Sequence, residues 1–330
     1  MRVHAWILAG LIGAPGTSGA APLAVEVEDA ADHHVAAQGR YRGGLKDSWE
    51  WQLGTRRSAP NITGVSAHGL LAAHRITRLK EHEDSALRAA DALVAAYDAG
   101  WKGNRPYTQD LEFLVAAGYV VDAARWFRVL SQNYTPAGYV DHLIRHRGGQ
   151  GLVNMAGWDA ASAIRAAVAV GDVAYARGML ERVVERRGAW DLYGAGDAQR
   201  LSHASLLWAI AVFKGRSRLS PEVEQFTQAS LRALVGSQSP AGAWETELGG
   251  RLCTQTTAYA VLGLAGHAQG RGAAARGRRW LLHVAEKDQR YFVGGRIWAA
   301  TYRRDGRPMG PYVSEIQSEV LQALASGTRR

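Results

Sequence analysis

The chain has 330 residues, 47% of them hydrophobic, with 39 Lys and Arg against 30 Asp and Glu and a single cysteine, Cys253. One cysteine excludes an intramolecular disulfide, so the core must hold the fold without staples. The basic residues are scattered in pairs such as Arg56-Arg57, Arg186-Arg187, Arg278-Arg279 and Arg303-Arg304, with no basic run carrying interleaved aromatics, which argues against nucleic acid as a partner.

Residues 1–21 read as a secretory leader: Arg2, an apolar run over Ala5 to Gly13, and the small residues Ser18-Gly19-Ala20. The apolar run is too short to span a bilayer, so no transmembrane anchor is expected once it is cleaved. The mature chain is expected to be periplasmic or secreted. Removing Arg2 leaves 38 basic residues against 30 acidic, a formal +8. That balance suits an anionic polysaccharide or another cell-envelope glycan, although an Arg-rich coding bias gives the same number.

A helical repeat follows. Apolar segments with polar starts begin near Asn61, Thr108, Asn154, Asp197, Thr254 and Tyr312, at intervals of 47, 46, 43, 57 and 58 residues. More charged, amphipathic segments alternate with them: Asp84 to Tyr97, Ala123 to Gln132, Val173 to Arg187, Pro221 to Val235 and Gly272 to Glu286. A helix apolar on every side is a buried one, and an amphipathic helix covers it. Six inner and five outer helices result, with Val25 to Gln38 as the sixth outer partner. No linker divides them, so residues 22–330 are expected to form one all-α domain.

The stretch Leu234 to Gly266 shows how one unit is joined to the next. Pro240 cannot continue the preceding helix, Gly242 and Gly249-Gly250 supply permissive backbone, and Trp244 offers a flat apolar face with one N–H donor. Thr254 and Thr256 then cap the apolar run AYAVLGLAG. Gln238-Ser-Pro-Ala-Gly242-Ala-Trp244 resembles the Gln–Trp repeat of the terpenoid cyclase and protein prenyltransferase superfamily, and Gln255-Thr-Thr-Ala-Tyr-Ala-Val261 resembles the inner helix that follows it there. The resemblance implies an α/α toroid, and the six inner helices counted above make it an (α/α)6 one. Asn61-Ile-Thr-Gly-Val, Tyr107-Thr-Gln-Asp-Leu-Glu-Phe113 and Gly157-Trp158-Asp159 extend it, being similar to exported prokaryotic proteins grouped with prenyltransferase and squalene-oxidase repeats. Two chemistries of the superfamily are absent. There is no Asp-x-Asp-Asp acid, and the residue two before Cys253 is Arg251 where the prenyltransferase zinc pair would need Asp. His68 and His74 lie six apart and share no helix face, so neither a metal nor another cofactor is expected.

In such a ring the inner-helix N-termini collect around the axis on one face, presenting free N–H groups and partial positive charge. The side chains delivered there are expected to include Asn61, Thr63, Gln109, Trp158, Asp197, Gln199, Gln255 and Tyr312 as ligand contacts. Asp110, Asp159, His203 and Glu315 are the candidate catalytic groups. Amides and carboxylates fork onto sugar hydroxyls, and an aromatic face packs on a pyranose. Capping alone explains any single member. Asp110 and Glu112 are two apart, so only one faces the axis, and Asp110 in the first turn is preferred. His203, between Leu201 and Leu206, reads equally as a core histidine. Glu315 and Glu319 share a face at i, i+4. His142 and His146 share that spacing, in a basic segment expected to be a loop or helix end.

A glycoside hydrolase would draw its pair of carboxylates from Asp110, Asp159, Asp197 and Glu315. A polysaccharide lyase would use His203, Tyr312 or Arg200 to neutralise a uronate and take its proton. The alternatives are a non-catalytic glycan-binding scaffold and an isoprenoid-binding protein without the cyclase acid. The axial pocket discriminates: charged for sugar chemistry, aromatic and dry for isoprenoid, shallow for a scaffold. Residues 290–311 are expected to form a β-hairpin that either overhangs the ring, bringing Tyr291, Trp298, Tyr302 and Arg303 to a ligand, or plugs a gap between helices. The protein is expected to be a monomer.

Overall fold

The computed structural model describes residues 20–101, 106–148, 155–191, 197–246, 250–288 and 295–326. Its helices are α1 (Ala20–Ala36), α2 (Ile62–Thr77), α3 (Lys80–Asp98), α4 (Thr108–Ala116), α5 (Val120–Asn133), α6 (Pro136–Gly148), α7 (Ala156–Ala169) and α8 (Val173–Glu185). They continue with the single turn α9 (Arg187–Trp190), α10 (Asp197–Lys214), α11 (Pro221–Gly236), α12 (Thr254–Ala265), α13 (Arg271–Val284) and α14 (Ser314–Ala325). Short strands fill the second half: β1 (Trp244–Glu245), β2 (Leu252–Cys253), β3 (Glu286–Asp288), β4 (Gly295–Ile297), β5 (Ala299–Tyr302) and β6 (Pro308–Tyr312).

Helices α2, α4, α7, α10, α12 and α14 pack each on the next, and α14 packs back on α2, closing an inner ring. The small residues of these segments permit it. A Cβ at Gly69 would stand 2.6 Å from the Cα of Ser318, and one at Gly263 would stand 2.3 Å from the Ala204 carbonyl oxygen. The α2/α14 and α10/α12 seams are therefore backbone contacts that only glycine allows. Helices α3, α5, α8, α11 and α13 lie outside. The sixth outer position belongs to α1, which packs on both α2 and α14 and so seals the seam where the ring closes.

That seal is polar as well as apolar. His33 Nε2 donates to Asp288 Oδ2 at 2.9 Å, tying α1 to β3, and His82 Nε2 donates to Asp32 Oδ1 at 2.8 Å, tying it to α3. His34 stacks on Trp49 with ring centroids 5.0 Å apart, while Trp49 Nε1 donates to the His34 carbonyl at 2.7 Å.

The Gln–Trp segment clamps three elements. Gln238 Nε2 donates to the carbonyls of Gly242 at 2.7 Å and Ala273 at 2.9 Å. The fully buried Trp244 donates from Nε1 to the Leu234 carbonyl at 2.8 Å. Gly242 adopts φ +97°, which a side chain would disfavour.

Several boundaries depart from the sequence reading. The expected leader lies almost wholly outside the described residues, as does Asn154. The loop or helix end expected around His142 and His146 is a thirteen-residue helix, α6, packed on α7 and α8. Tyr312 closes β6, so the last inner helix begins at Ser314. The hairpin expected over 290–311 is part of a larger structure: β5 and β6 join β1 and β2 in one antiparallel sheet of order β1-β2-β5-β6, and β3 pairs with β4. This region plugs the fold. Trp298 is buried and donates to the Leu281 carbonyl at 2.7 Å, and Tyr302 is buried with its hydroxyl on Glu286, so neither is offered to a ligand. Tyr291 lies outside the described residues.

Candidate functional site

One cleft opens on the face formed by inner-helix N-termini. Its volume is about 350 Å³, and its walls come from Asn61 before α2, Tyr107 to Gln109 at the start of α4, Trp158, Asp159 and Ser162 in α7, and the aromatic side of α6. Four expected site residues, Asn61, Gln109, Trp158 and Asp159, are thereby brought together. The additional helix contributes Tyr139, His142 and His146, with the last two rings stacked at 5.8 Å. Tyr134, between α5 and α6, lies against His142 and Tyr139. A larger depression of about 680 Å³ opens between the outer helices α8 and α11, without any of these groups.

Each inner helix also sends polar or aromatic side chains towards its neighbours at the axis. Arg165, in the Ala-rich α7, donates from Nε to both carboxylate oxygens of Glu112 at 3.0 Å and from Nη1 to Ser205 Oγ at 3.2 Å. Its guanidinium lies over the ring of Trp208 at 3.8 Å. Trp208 meets Tyr259 edge-on at 6.2 Å, and Tyr259 meets Trp158 at 6.1 Å, which links the axial cluster to the cleft. From α2 comes the part-buried His68, whose imidazole is pushed down to about 4 by burial, against the pull of Glu112. From α14 come Glu315 and Glu319, 9% and 1% exposed. Gln255 donates to Glu319 Oε1 at 3.2 Å.

The electrostatics of this cluster are unusual. Burial raises Glu315 from the ordinary carboxyl value of 4.5 to about 7. Burial, reinforced by the neighbouring Glu315, raises Glu319 well above it, against hydrogen bonds from Gln255 and Tyr259. Two carboxyls one helical turn apart in a low dielectric cannot both ionise near neutrality, so the pair retains a proton there. Glu112 is ion-paired with Arg165. The axis thus holds a carboxyl pair that keeps a proton near neutrality, an ion pair and three aromatic rings.

The other expected site residues serve the fold. Asp110 is fully buried, accepting the Tyr97 hydroxyl at 2.7 Å and the Gly64 N–H at 3.2 Å; it locks α4 to α2 and α3, and Glu112 is the member of that pair turned to the axis. His203 points outward. Its Nδ1 bonds Ser230 Oγ on α11 at 2.8 Å, its Nε2 bonds Asp191 at 3.1 Å, and its ring stacks on Phe226. It is a satisfied core histidine. Gln199 donates to the same Asp191, and Arg200 donates to the Glu245 carbonyl. Tyr312 donates to Glu286 at 3.0 Å inside the strand region, and the buried Thr63 pairs with Ser48 at 2.9 Å. Asp197 opens α10, and its side chain lies outside the described set. No cluster of three or more metal-ligating side chains occurs among the described residues.

Arg165 and Tyr139 are not singled out by the sequence, which favours Asp110 over Glu112 and puts His142 and His146 in a loop or helix end. Arg165 was legible in principle, because a lone charge inside AASAIRAAVAV must find a partner or unfold the helix. The partner itself was not legible.

No protein-family model and no curated sequence matches the chain. Among solved structures, it is similar to the unsaturated glucuronyl hydrolase of Bacillus sp. GL1, described as responsible for the degradation of glycosaminoglycan. The TM-score is 0.58 at 12% identity, over 91% of this chain and 96% of that one. A possible member of the GH105 family from Salmonella enterica matches with TM-score 0.56 at 10% identity, over 97% and 98% of the two chains. A type II terpene cyclase from Scytonema matches with TM-score 0.57 at 13% identity, over 93% and 98%. These likenesses establish the α/α-toroid fold, which glycoside hydrolases and terpene cyclases share.

Proposed function

We propose that the protein is an exported, carbohydrate-directed enzyme of glycoside hydrolase type, acting on acidic oligosaccharides at the axial face formed by its inner-helix N-termini. The observation that carries this reading is the cleft itself: amides from Asn61 and Gln109, the carboxylate of Asp159 and the ring of Trp158 converge there, and Trp158 links the cleft through Tyr259 to the axial cluster that holds the buried Glu315 and Glu319. Glu315, neutral below about pH 7, suits the role of proton donor to a leaving oxygen. Asp159 is the second carboxylate, for which a base or nucleophile role follows from the two-carboxylate logic of glycoside cleavage. Positive charge on the mature chain favours uronate-bearing substrates. Likeness in fold to unsaturated glucuronyl hydrolases supports hydrolysis over elimination and points to unsaturated uronyl oligosaccharides as the first substrates to try. The charged axis argues against an isoprenoid pocket, which would be aromatic and dry, although three rings are present there.

The test is incubation of the purified mature protein with unsaturated uronyl disaccharides and with saturated acidic and neutral oligosaccharides, following double-bond absorbance and reducing ends together. Loss of absorbance, or new reducing ends, is the expected result. New absorbance would identify a lyase, and silence accompanied by binding would identify a scaffold. Export is tested separately, by N-terminal sequencing of the protein recovered from cell envelope and medium.

A further inference from the structure

The four-stranded sheet runs into α12 and α14 at one edge and ends at the other in arginines. β2 starts just after Arg251, β5 ends just before Arg303 and Arg304, and β6 starts just after Arg307. Antiparallel pairing of Leu252 with Tyr302, and of Tyr302 with Pro308, brings these side chains to a single edge. Two depressions meet there. One, of about 480 Å³, is enclosed by Gly250, Arg251, Arg303, Arg304 and Met309. The other, of about 500 Å³, shares Arg304 and continues along α13, where Arg276, Arg279 and His283 occur at i, i+3 and i+7. That spacing places them on one face, about one basic side chain per 5.4 Å turn. All are exposed.

Countercharges are few. Asp305 lines the second depression, Glu245 pairs with Arg304 at 3.0 Å, and Gln238 accepts from Arg276. Arg251, Arg279 and Arg303 have no carboxylate partner among the described residues. Like charges held side by side with open furrows between them are unfavourable in the free protein and are relieved by an anion. We propose that this track binds a strand of acidic polysaccharide at a site separate from the axial cleft. Guanidinium forks match carboxylate and sulfate groups, and two depressions that share Arg304 give a row of such sites, as a linear chain of charged sugars requires. Two other polyanions fit less well. A single-stranded nucleic acid needs exposed aromatic platforms, whereas Trp280, the aromatic in the track, is buried. An anionic membrane surface calls for exposed apolar side chains, and the large ones exposed among the described residues, Val25, Trp51, Val120 and Val121, lie on other elements.

The inference concerns binding alone and stands whether or not the axial cleft is catalytic. The mature protein, the variant R251Q/R279Q/R303Q and the charge-matched control R128Q/R216Q/R232Q are compared by titration with chondroitin sulfate, with dextran as the neutral glycan. The track variant is expected to bind chondroitin sulfate about tenfold more weakly, with a shallower salt dependence, and the control less than about twofold more weakly. Thermal melts confirm that each variant folds. Turnover of a disaccharide at the axial cleft is expected to be unchanged, which keeps the two readings distinguishable. Equal weakening in both triple variants, or none in either, overturns the proposal. So does tighter binding of single-stranded DNA or phosphatidylglycerol vesicles than of the glycan.

Discussion

Burial sets the chemistry of Glu315. Its carboxyl titrates near 7 when folded and near 4.5 when unfolded, so between those values the folded state holds a proton that the unfolded state has released. Stability from this group is therefore complete below about pH 4.5 and is lost as pH rises through 7. The loss amounts to at most about 3 kcal/mol. Glu315→Gln is expected to flatten that decline in denaturant titrations between pH 5 and 8. If Glu315 is the proton donor, the same variant lowers kcat by about 10²- to 10⁴-fold with little change in KM. Arg165 gives a second prediction at this scale. Arg165→Met strands Glu112 next to buried neighbours and is expected to cost about 3–5 kcal/mol, whereas adding Glu112→Gln recovers most of it. A double-mutant cycle by chemical denaturation measures the coupling. A coupling near zero would mean the pair is held by its surroundings, not by its own attraction.

At the scale of elements, the inner seams depend on missing side chains. Gly69→Ala ought to gain about 1 kcal/mol from helix propensity alone. Its Cβ, however, meets the backbone of Ser318, which cannot swing aside, so a net loss of about 1–3 kcal/mol is expected. Gly236→Ala, at the end of outer helix α11 with nothing within 4 Å, is expected to be neutral or slightly stabilising. The thermal midpoint of Gly69→Ala should fall, while that of Gly236→Ala should hold or rise. Much of this level was readable in advance. Inner and outer helices differ in apolar periodicity, and Gln238, Gly242 and Trp244 marked the clamp between α11 and α12. Helix α6 was not readable, because its Arg- and His-rich segment has a weak apolar face and its burial comes from α7 and α8, which the local sequence does not announce.

For the whole molecule, closure of the ring rests on α1, and α1 carries a buried histidine. Burial pushes His34 down to about 3, with His33 adding to the shift and the Ser66 carbonyl opposing it. The unfolded chain takes up a proton near pH 6.5 that the folded chain refuses, so stability is complete above 6.5 and falls as pH drops towards 3. His68, pushed down to about 4, acts in the same direction. The expected outcome is acid unfolding beginning below about pH 6, with His34 alone responsible for up to about 5 kcal/mol of the decline. His34→Phe keeps the stack on Trp49 and should shrink the pH dependence across this window while lowering stability at pH 7. An unaltered acid profile would place the sensitivity elsewhere.

The order and number of inner and outer helices follow from the sequence alone, because apolar periodicity is a local property and every residue carries its own preference for burial. The closure by α1 and the polar collar of Asn61, Gln109, Trp158 and Asp159 were legible for the same reason: helix starts announce themselves, and in a ring all inner starts face one way. Which of two neighbouring carboxylates turns to the axis was decided only in three dimensions. Asp110 is drawn into the α2–α3 interface by Tyr97, leaving Glu112 for Arg165, and His203 is claimed by Ser230 and Asp191. Those partners lie 12 to 53 residues away in the chain, and a hydrogen bond between distant residues has no local signature. The raised carboxyl of Glu315 belongs to the same class, since a pKa is a property of surroundings that exist only after the ring has closed.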